Sequence, residues 1–99
     1  MDIKIQSLKF DADIKLLDFI ETKVNKLEQY FDKIIGAEVV LKIDNSEESI
    51  NKEADIKLLI PGNDLFSKKQ AKTFEEAVDL ATEALRRQLK KTKEKLRNK

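Results

Sequence analysis

The sequence predicts an α+β fold, a two-layer sandwich of order β-α-β-β-β-α in which two helices pack on one face of a four-stranded sheet. Three observations carry this prediction. Short segments alternate polar and apolar residues, as half-buried strands do, and two long stripes place apolar residues three and four apart, as helices do. Only two Gly and one Pro occur in 99 residues, which favours long regular elements over a loop-rich chain. This length suits one domain, residues 1–99, with a single core.

The first strand is expected at about residues 2 to 8, where Ile3 and Ile5 face one side and Asp2, Lys4 and Gln6 the other. Asp13 can cap the first helix. Its stripe runs through Leu17, Ile20, Val24, Leu27, Phe31 and Ile34, and Gly36 is expected to end it. Ala37, Val39, Leu41 and Ile43 alternate with polar neighbours as a second strand, followed by a loop in DNSEES. Ala54, Ile56, Leu58 and Ile60 mark the third strand. Pro61-Gly62 then supplies the fixed φ and the permissive residue of a type II turn. The return strand is expected near Leu65 to Gln70, where Lys68 and Lys69 break the alternation and leave its inward face open. Thr73 is placed to cap a last helix whose stripe is Phe74, Ala77, Val78, Ala81, Leu85, Leu89, Thr92 and Leu96.

Charge is the least uniform property of the chain. Its net value is only +1, yet the last fourteen residues, RRQLKKTKEKLRNK, hold eight Lys or Arg against Glu94 alone, and the body before them is net acidic. Such asymmetry points to a polyanionic partner, with nucleic acid the first candidate. At about 100° per residue from Leu85, Arg86, Lys90, Lys93 and Arg97 fall at roughly 80° to 140°, and Arg87 and Lys91 at roughly 200° to 240°. All lie away from the core stripe. The helix dipole favours cations at a C-terminus, but it acts over about one turn, and Arg86 starts the run more than three turns from the end. On the first helix Lys15, Lys23, Lys26 and Lys33 gather on one flank, and Asp18, Glu21, Glu28 and Asp32 on the other. If the basic flank faces the second helix, the two surfaces join into one patch rimmed by Phe19 and Tyr30, rings that either contact RNA or simply widen the core.

Other chemistry is poorly supplied. The chain has no His and no Cys, so the usual neutral-pH base, the strongest nucleophile and the commonest zinc ligands are missing, and no disulfide can form. Glu47-Glu48 and Glu75-Glu76 are adjacent acids that read as solvated, and Gly36 and Gly62 cannot make a phosphate-cradling loop. An enzyme is not expected, nor a cofactor, a metal or a small-molecule substrate. No apolar run approaches the roughly twenty residues that span a bilayer, and MDIKIQSLKF lacks the pattern of a signal peptide, which makes the cytoplasm the default location.

The stretches KLEQYFDKI (Lys26 to Ile34), EVVLKI (Glu38 to Ile43), AVD (Ala77 to Asp79) and RRQLKKTKEKL (Arg86 to Leu96) resemble the ribosome hibernation-promoting factor family, also called ribosome-associated inhibitor or sigma-54 modulation proteins. The resemblance covers essentially the whole chain. It implies a β-α-β-β-β-α domain similar in shape to double-stranded-RNA-binding domains, and a partner in the small ribosomal subunit and its rRNA. It further implies occlusion of the channel that holds mRNA and the A-site and P-site tRNAs, and inhibition of translation in stress and stationary phase. By matching position, Lys23, Lys26, Arg87, Gln88, Lys91, Lys93 and Lys95 are the implied rRNA contacts; Arg86 and Lys90 join them on electrostatic grounds only. Relatives tend to read D-M-Y where this chain has Thr73-Phe74-Glu75, and a Lys where it has Ala84. The chain looks like a short form, without the additional domain through which long members pair ribosomes, and is expected to be a monomer when free.

Two other readings compete. A stand-alone double-stranded-RNA-binding module would recognise A-form shape without a ribosome. An interaction module would instead dock the basic helix on an acidic protein or an anionic membrane, although the apolar stripe is then needed twice, for the partner and for the domain's own core.

Overall fold

Seven elements are built in the order the sequence predicts, with one short helix added. The computed structural model describes residues 1–44 and 49–97, with side chains as far as Lys95, so most of the DNSEES loop, Glu47-Glu48 and the side chains of Leu96 and Arg97 lie outside the described residues. The strands are β1 (Asp2–Ser7), β2 (Gly36–Ile43), β3 (Lys52–Ile60) and β4 (Asn63–Ala71). The helices are α1 (Ile14–Asn25), a 3-10 segment (Lys26–Gln29) and α2 (Phe74–Arg97). The sheet order is β1-β2-β3-β4, with β1 parallel to β2 and the other pairs antiparallel.

The sheet has one apolar and one polar face, because side chains alternate along each strand and the register aligns the alternation. One row runs Ile5, Val39, Ile56, Ser67 and the next Ile3, Ala37, Leu58, Leu65. Both helices lie on that side, where Ile20 and Val24 of α1 and Ala77, Val78, Ala81, Leu85 and Leu89 of α2 are completely buried. β4 settles its inward face as Leu65, Ser67 and Ala71, which are buried, with Lys69 on the same side but exposed at the sheet edge.

Local chemistry fixes the element ends. Asp13 Oδ1 accepts the Leu16 backbone N–H at 2.8 Å, and Thr73 Oγ1 accepts that of Glu76 at 3.1 Å, so both helices start on a side-chain cap. Gly62 closes the β3–β4 hairpin at φ +82°, the left-handed value that position i+2 of a type II turn requires. Between β1 and α1 the chain reverses through Lys9 at φ +67°, and the Phe10 ring stacks on Phe74 with centroids 4.9 Å apart.

The first helix departs from its sequence reading in two respects. Regular helix ends at Asn25, and the 3-10 segment and irregular turns carry Leu27, Phe31 and Ile34 into the core. The stripe also begins at buried Leu16, with Leu17 only half-buried. Gly36 is not a helix stop; it is the first residue of β2, opposite Asp2. A Cβ there would stand 2.9 Å from the Asp2 carbonyl oxygen, so the missing side chain lets β1 approach.

Candidate nucleic-acid interface

The outer surface of α2 is available because burial stops partway along it. Leu89 is the last buried residue among those described, Thr92 is half-buried, and from Lys93 to Lys95 every described side chain is exposed. About one turn of the described helix thus extends past its core contacts. Arg87, Lys90, Lys91, Lys93 and Lys95 are exposed, whereas Arg86 and Gln88 are half-buried.

These cations do not share one face. Arg86 and Lys90 turn toward the 3-10 segment, where the guanidinium carbon lies 5.7 Å and the Lys90 ammonium 6.0 Å from the Tyr30 ring centroid. Tyr30 packs partly into the core and partly under these two charges, so its ring positions them by cation–π attraction. Lys90 and Lys93 also line a recess of about 260 Å³ with Gln29, Tyr30 and Glu94. On the opposite flank Gln88 Nε2 donates to the Phe66 carbonyl of β4 at 3.0 Å. That bond ties the helix to the sheet edge and engages the amide expected to meet RNA.

The two helices do meet on the basic flank of α1, at Lys23. Its ammonium is 2.7 Å from Asp79 Oδ1 of α2 and 5.7 Å from the Phe19 ring centroid. Phe19 is half-buried against the core, as a core-widening ring is, and also holds a cation. Lys26 is exposed at the start of the 3-10 segment. Among the described residues Lys26, Lys91, Lys93 and Lys95 make no ion pair, while Lys23, Arg86 and Gln88 already have partners within the chain.

Glu83 lies with Glu75, Glu76 and Asp79 on the acidic part of the outer face that precedes the basic run, and its pairing is what the sequence reading did not assign. Its carboxylate receives both Nε of Arg86, at 3.1 Å, and Nη2 of the same residue, and Arg87 Nε stands 3.8 Å away. The Arg86 hydrogen bond holds the Glu83 carboxyl below its ordinary 4.5, helped by the charges of Arg86, Arg87 and Lys90, and the same bond raises Arg86. A lowered carboxyl contributes stability that is present above its unfolded value and lost as pH falls through the folded one. Glu83→Gln is therefore expected to lower the urea midpoint slightly at neutral pH, where the carboxylate contributes, and to leave it close to wild type well below pH 4.5, which flattens the loss of stability on acidification. An unchanged acid slope would show that the fork contributes nothing to folding. The i,i+3 and i,i+4 spacing of Glu83 to Arg86 and Arg87 was the signal available in the sequence.

The polar face of the sheet carries a second charged group. Lys42 Nζ lies 3.1 Å from Asp55 Oδ2 and 3.6 Å from Glu53 Oε2, and Gln70 Nε2 donates to Glu53 at 3.2 Å. The Asp55 hydrogen bond raises the Lys42 ammonium. With both signs interleaved, this face lacks the one-sided charge of α2.

Comparison with known proteins agrees with this fold. Residues 3–97 match the family described as sigma 54 modulation protein / S30EA ribosomal protein. The chain is 30% identical over 95 residues to the ribosome hibernation promoting factor of Pseudomonas putida, covering 96% of this chain and 89% of that one. It is 32% identical over 97 residues to the Escherichia coli protein of the same name, covering 98% of each. The solved N-terminal domain of Thermus thermophilus Protein Y superimposes with a TM-score of 0.81 at 25% identity, covering 93% of this chain and 99% of that domain.

Proposed function

Because the chain belongs to the sigma 54 modulation protein / S30EA ribosomal protein family, we propose that it is a ribosome hibernation factor that binds rRNA of the small subunit and inhibits translation by filling the channel for mRNA and tRNA. Relatives across nearly the full length of this chain bear that name. The observation that carries the reading is the run of exposed cations from Arg87 to Lys95, mounted on a helix that Leu85 and Leu89 anchor completely. A long-lived basic surface of this kind neutralises phosphates without any rearrangement of its own backbone. Lys23 and Lys26 extend it onto the first helix, with Lys23 exchanging its Asp79 partner for a phosphate on binding. Arg86 and Lys90 set its edge at Tyr30, and Gln88 supports the helix from β4. Working on ribosomes places the protein in the cytoplasm.

The membrane-docking alternative loses support here, since the apolar stripe of α2 is spent inside the domain: Ala77, Val78, Ala81, Leu85 and Leu89 are all fully buried. Binding by phosphate neutralisation has a measurable signature. If about six to eight phosphates are contacted, log affinity for small subunits should fall against log salt with a slope of about −4 to −6, at roughly 0.7 per contact. Co-sedimentation across a potassium chloride series measures it. Salt-insensitive binding would remove the electrostatic mechanism, and equal affinity for an isolated RNA duplex would turn the reading into a free double-stranded-RNA binder.

A further inference from the structure

Where α2 extends beyond its described core contacts, the sheet beneath it also ends, and no described side chain fills the space between them. The β3–β4 hairpin turns back at Pro61-Gly62, and Leu89, the last buried helix residue among those described, lies before the helix end. What remains is an open recess of about 540 Å³, within the 300 to 1,000 Å³ of ordinary ligand pockets. Phe31, Ile60 and Pro61 line it with apolar surface, and the exposed Asn63 adds a side-chain amide that makes no hydrogen bond among the described residues. Lys33 and Lys95 contribute ammonium groups. Among the described residues no carboxylate lines it, although nineteen Asp and Glu are spread over the chain.

We propose that this recess receives one unstacked nucleotide of the bound RNA, its base against Phe31, Ile60 and Pro61 beside the Asn63 amide, and its flanking phosphates against Lys33 and Lys95. Each part of the lining matches a part of that ligand. A base has two apolar faces and an edge of donors and acceptors, which an apolar wall and an amide satisfy together. Phosphates on either side need cations and no nearby acid, which the two lysines supply. Gly62 lines the recess and adds no side chain to it. Lys95 belongs both to this recess and to the basic run on α2, so a strand crossing the helix surface reaches the pocket without leaving protein. The proposal rests on the reading of the chain as an RNA binder and specifies one subsite within it.

The test uses the full chain, labelled with 15N, and three RNA probes: a hexa-adenylate single strand, a blunt duplex and free adenosine monophosphate. Saturable shifts of the Gly62, Asn63 and Thr92 amides are expected with the single strand. The duplex should leave them in place, and the mononucleotide should bind at least tenfold more weakly because it lacks the flanking phosphates. Asn63→Trp, at an exposed position, fills the recess and should weaken single-strand and small-subunit binding about tenfold, the worth of one stacked base. Lys33→Ala should lower the salt slope for the single strand by about 0.7. Melting curves followed by circular dichroism establish that both variants fold. Full-strength single-strand binding by folded Asn63→Trp, or equal shifts with the duplex, would overturn the proposal. So would a mononucleotide that binds as tightly as the strand, which would mark a site for free nucleotides. Wild type that binds small subunits while Asn63→Trp does so equally well removes the subsite alone; specific shifts with the single strand, and no binding to small subunits, remove the ribosomal reading alone.

Discussion

Changing Arg87, Lys91, Lys93 and Lys95 together to alanine is expected to lower affinity for small ribosomal subunits several hundredfold at about 0.1 M salt and to abolish translation inhibition at stoichiometric protein. The size follows from counterion release: four lost contacts at about 0.7 log units each per decade of salt amount to nearly three decades relative to 1 M. The fold should not suffer. All four side chains are exposed, and Arg87, Lys91 and Lys95 stand in an i,i+4 series whose two like-charge pairs each cost a few tenths of a kcal/mol, which outweighs the one Glu83–Arg87 pair of similar size that is lost with them. Alanine also has the highest helix propensity. Thermal stability should therefore hold or rise while binding collapses, and these opposite signs identify the charges as a cost to folding kept for a ligand. Equal inhibition by the folded variant and the wild type would remove this surface from the mechanism.

Much of the architecture was legible because each part of it is written locally. Asp13, Thr73 and Pro61-Gly62 signal their caps and their turn by side-chain chemistry that needs no neighbour, and strand alternation separates the two faces of β2 and β3 without knowledge of the partner strand. The end of the first helix was not legible in this way. Leu27, Phe31 and Ile34 keep helical spacing because they must reach the core, and a 3-10 segment followed by turns delivers them as well as a continuous helix does. Spacing reports which residues are buried, not which backbone carries them. The same limit explains Gly36, whose role depends on Asp2, a residue 34 positions earlier that only the parallel pairing of β1 and β2 brings opposite.

The site was legible as charge but not as geometry. A helical wheel identifies Arg86, Arg87, Lys90, Lys91 and Lys93 as lying away from the core stripe, and the fold leaves none of them buried. What it cannot give is the neighbour on each flank: Tyr30 under Arg86 and Lys90, β4 beside Gln88, and Asp79 against Lys23. These contacts divide the predicted cations into those held by the chain and those left for a partner. Glu83 belongs to the same division, since its fork holds Arg86 and its carboxylate also reaches Arg87. The lysines of β4 are a related case, because Lys69 shares the inward side with buried Leu65, Ser67 and Ala71 and is nevertheless exposed.

Replacing Leu85 with alanine is expected to destabilise the domain by about 2 to 5 kcal/mol, the range for removing a fully buried leucine from a core that cannot collapse around the gap. Leu85 is completely buried, one residue before the basic run. Against a total of about 5 to 15 kcal/mol for a domain of this size, that is a large fraction, and the melting temperature should drop by about 8 °C or more at roughly 4 to 8 °C per kcal/mol. The urea midpoint should fall with little change in slope, as expected when stability changes and the exposed area does not. Leu80→Ala is the control on the same helix: its side chain is 46% exposed, and it should cost under about 1 kcal/mol. The comparison separates platform from surface. At 10 °C, where enough Leu85→Ala protein is folded to bind, its folded fraction should retain wild-type affinity and the wild-type salt slope, because every exposed cation is still present. Loss of affinity beyond the unfolded fraction would mean that the precise seating of α2, and not charge alone, governs recognition, and the salt slope would then overstate the electrostatic share of binding.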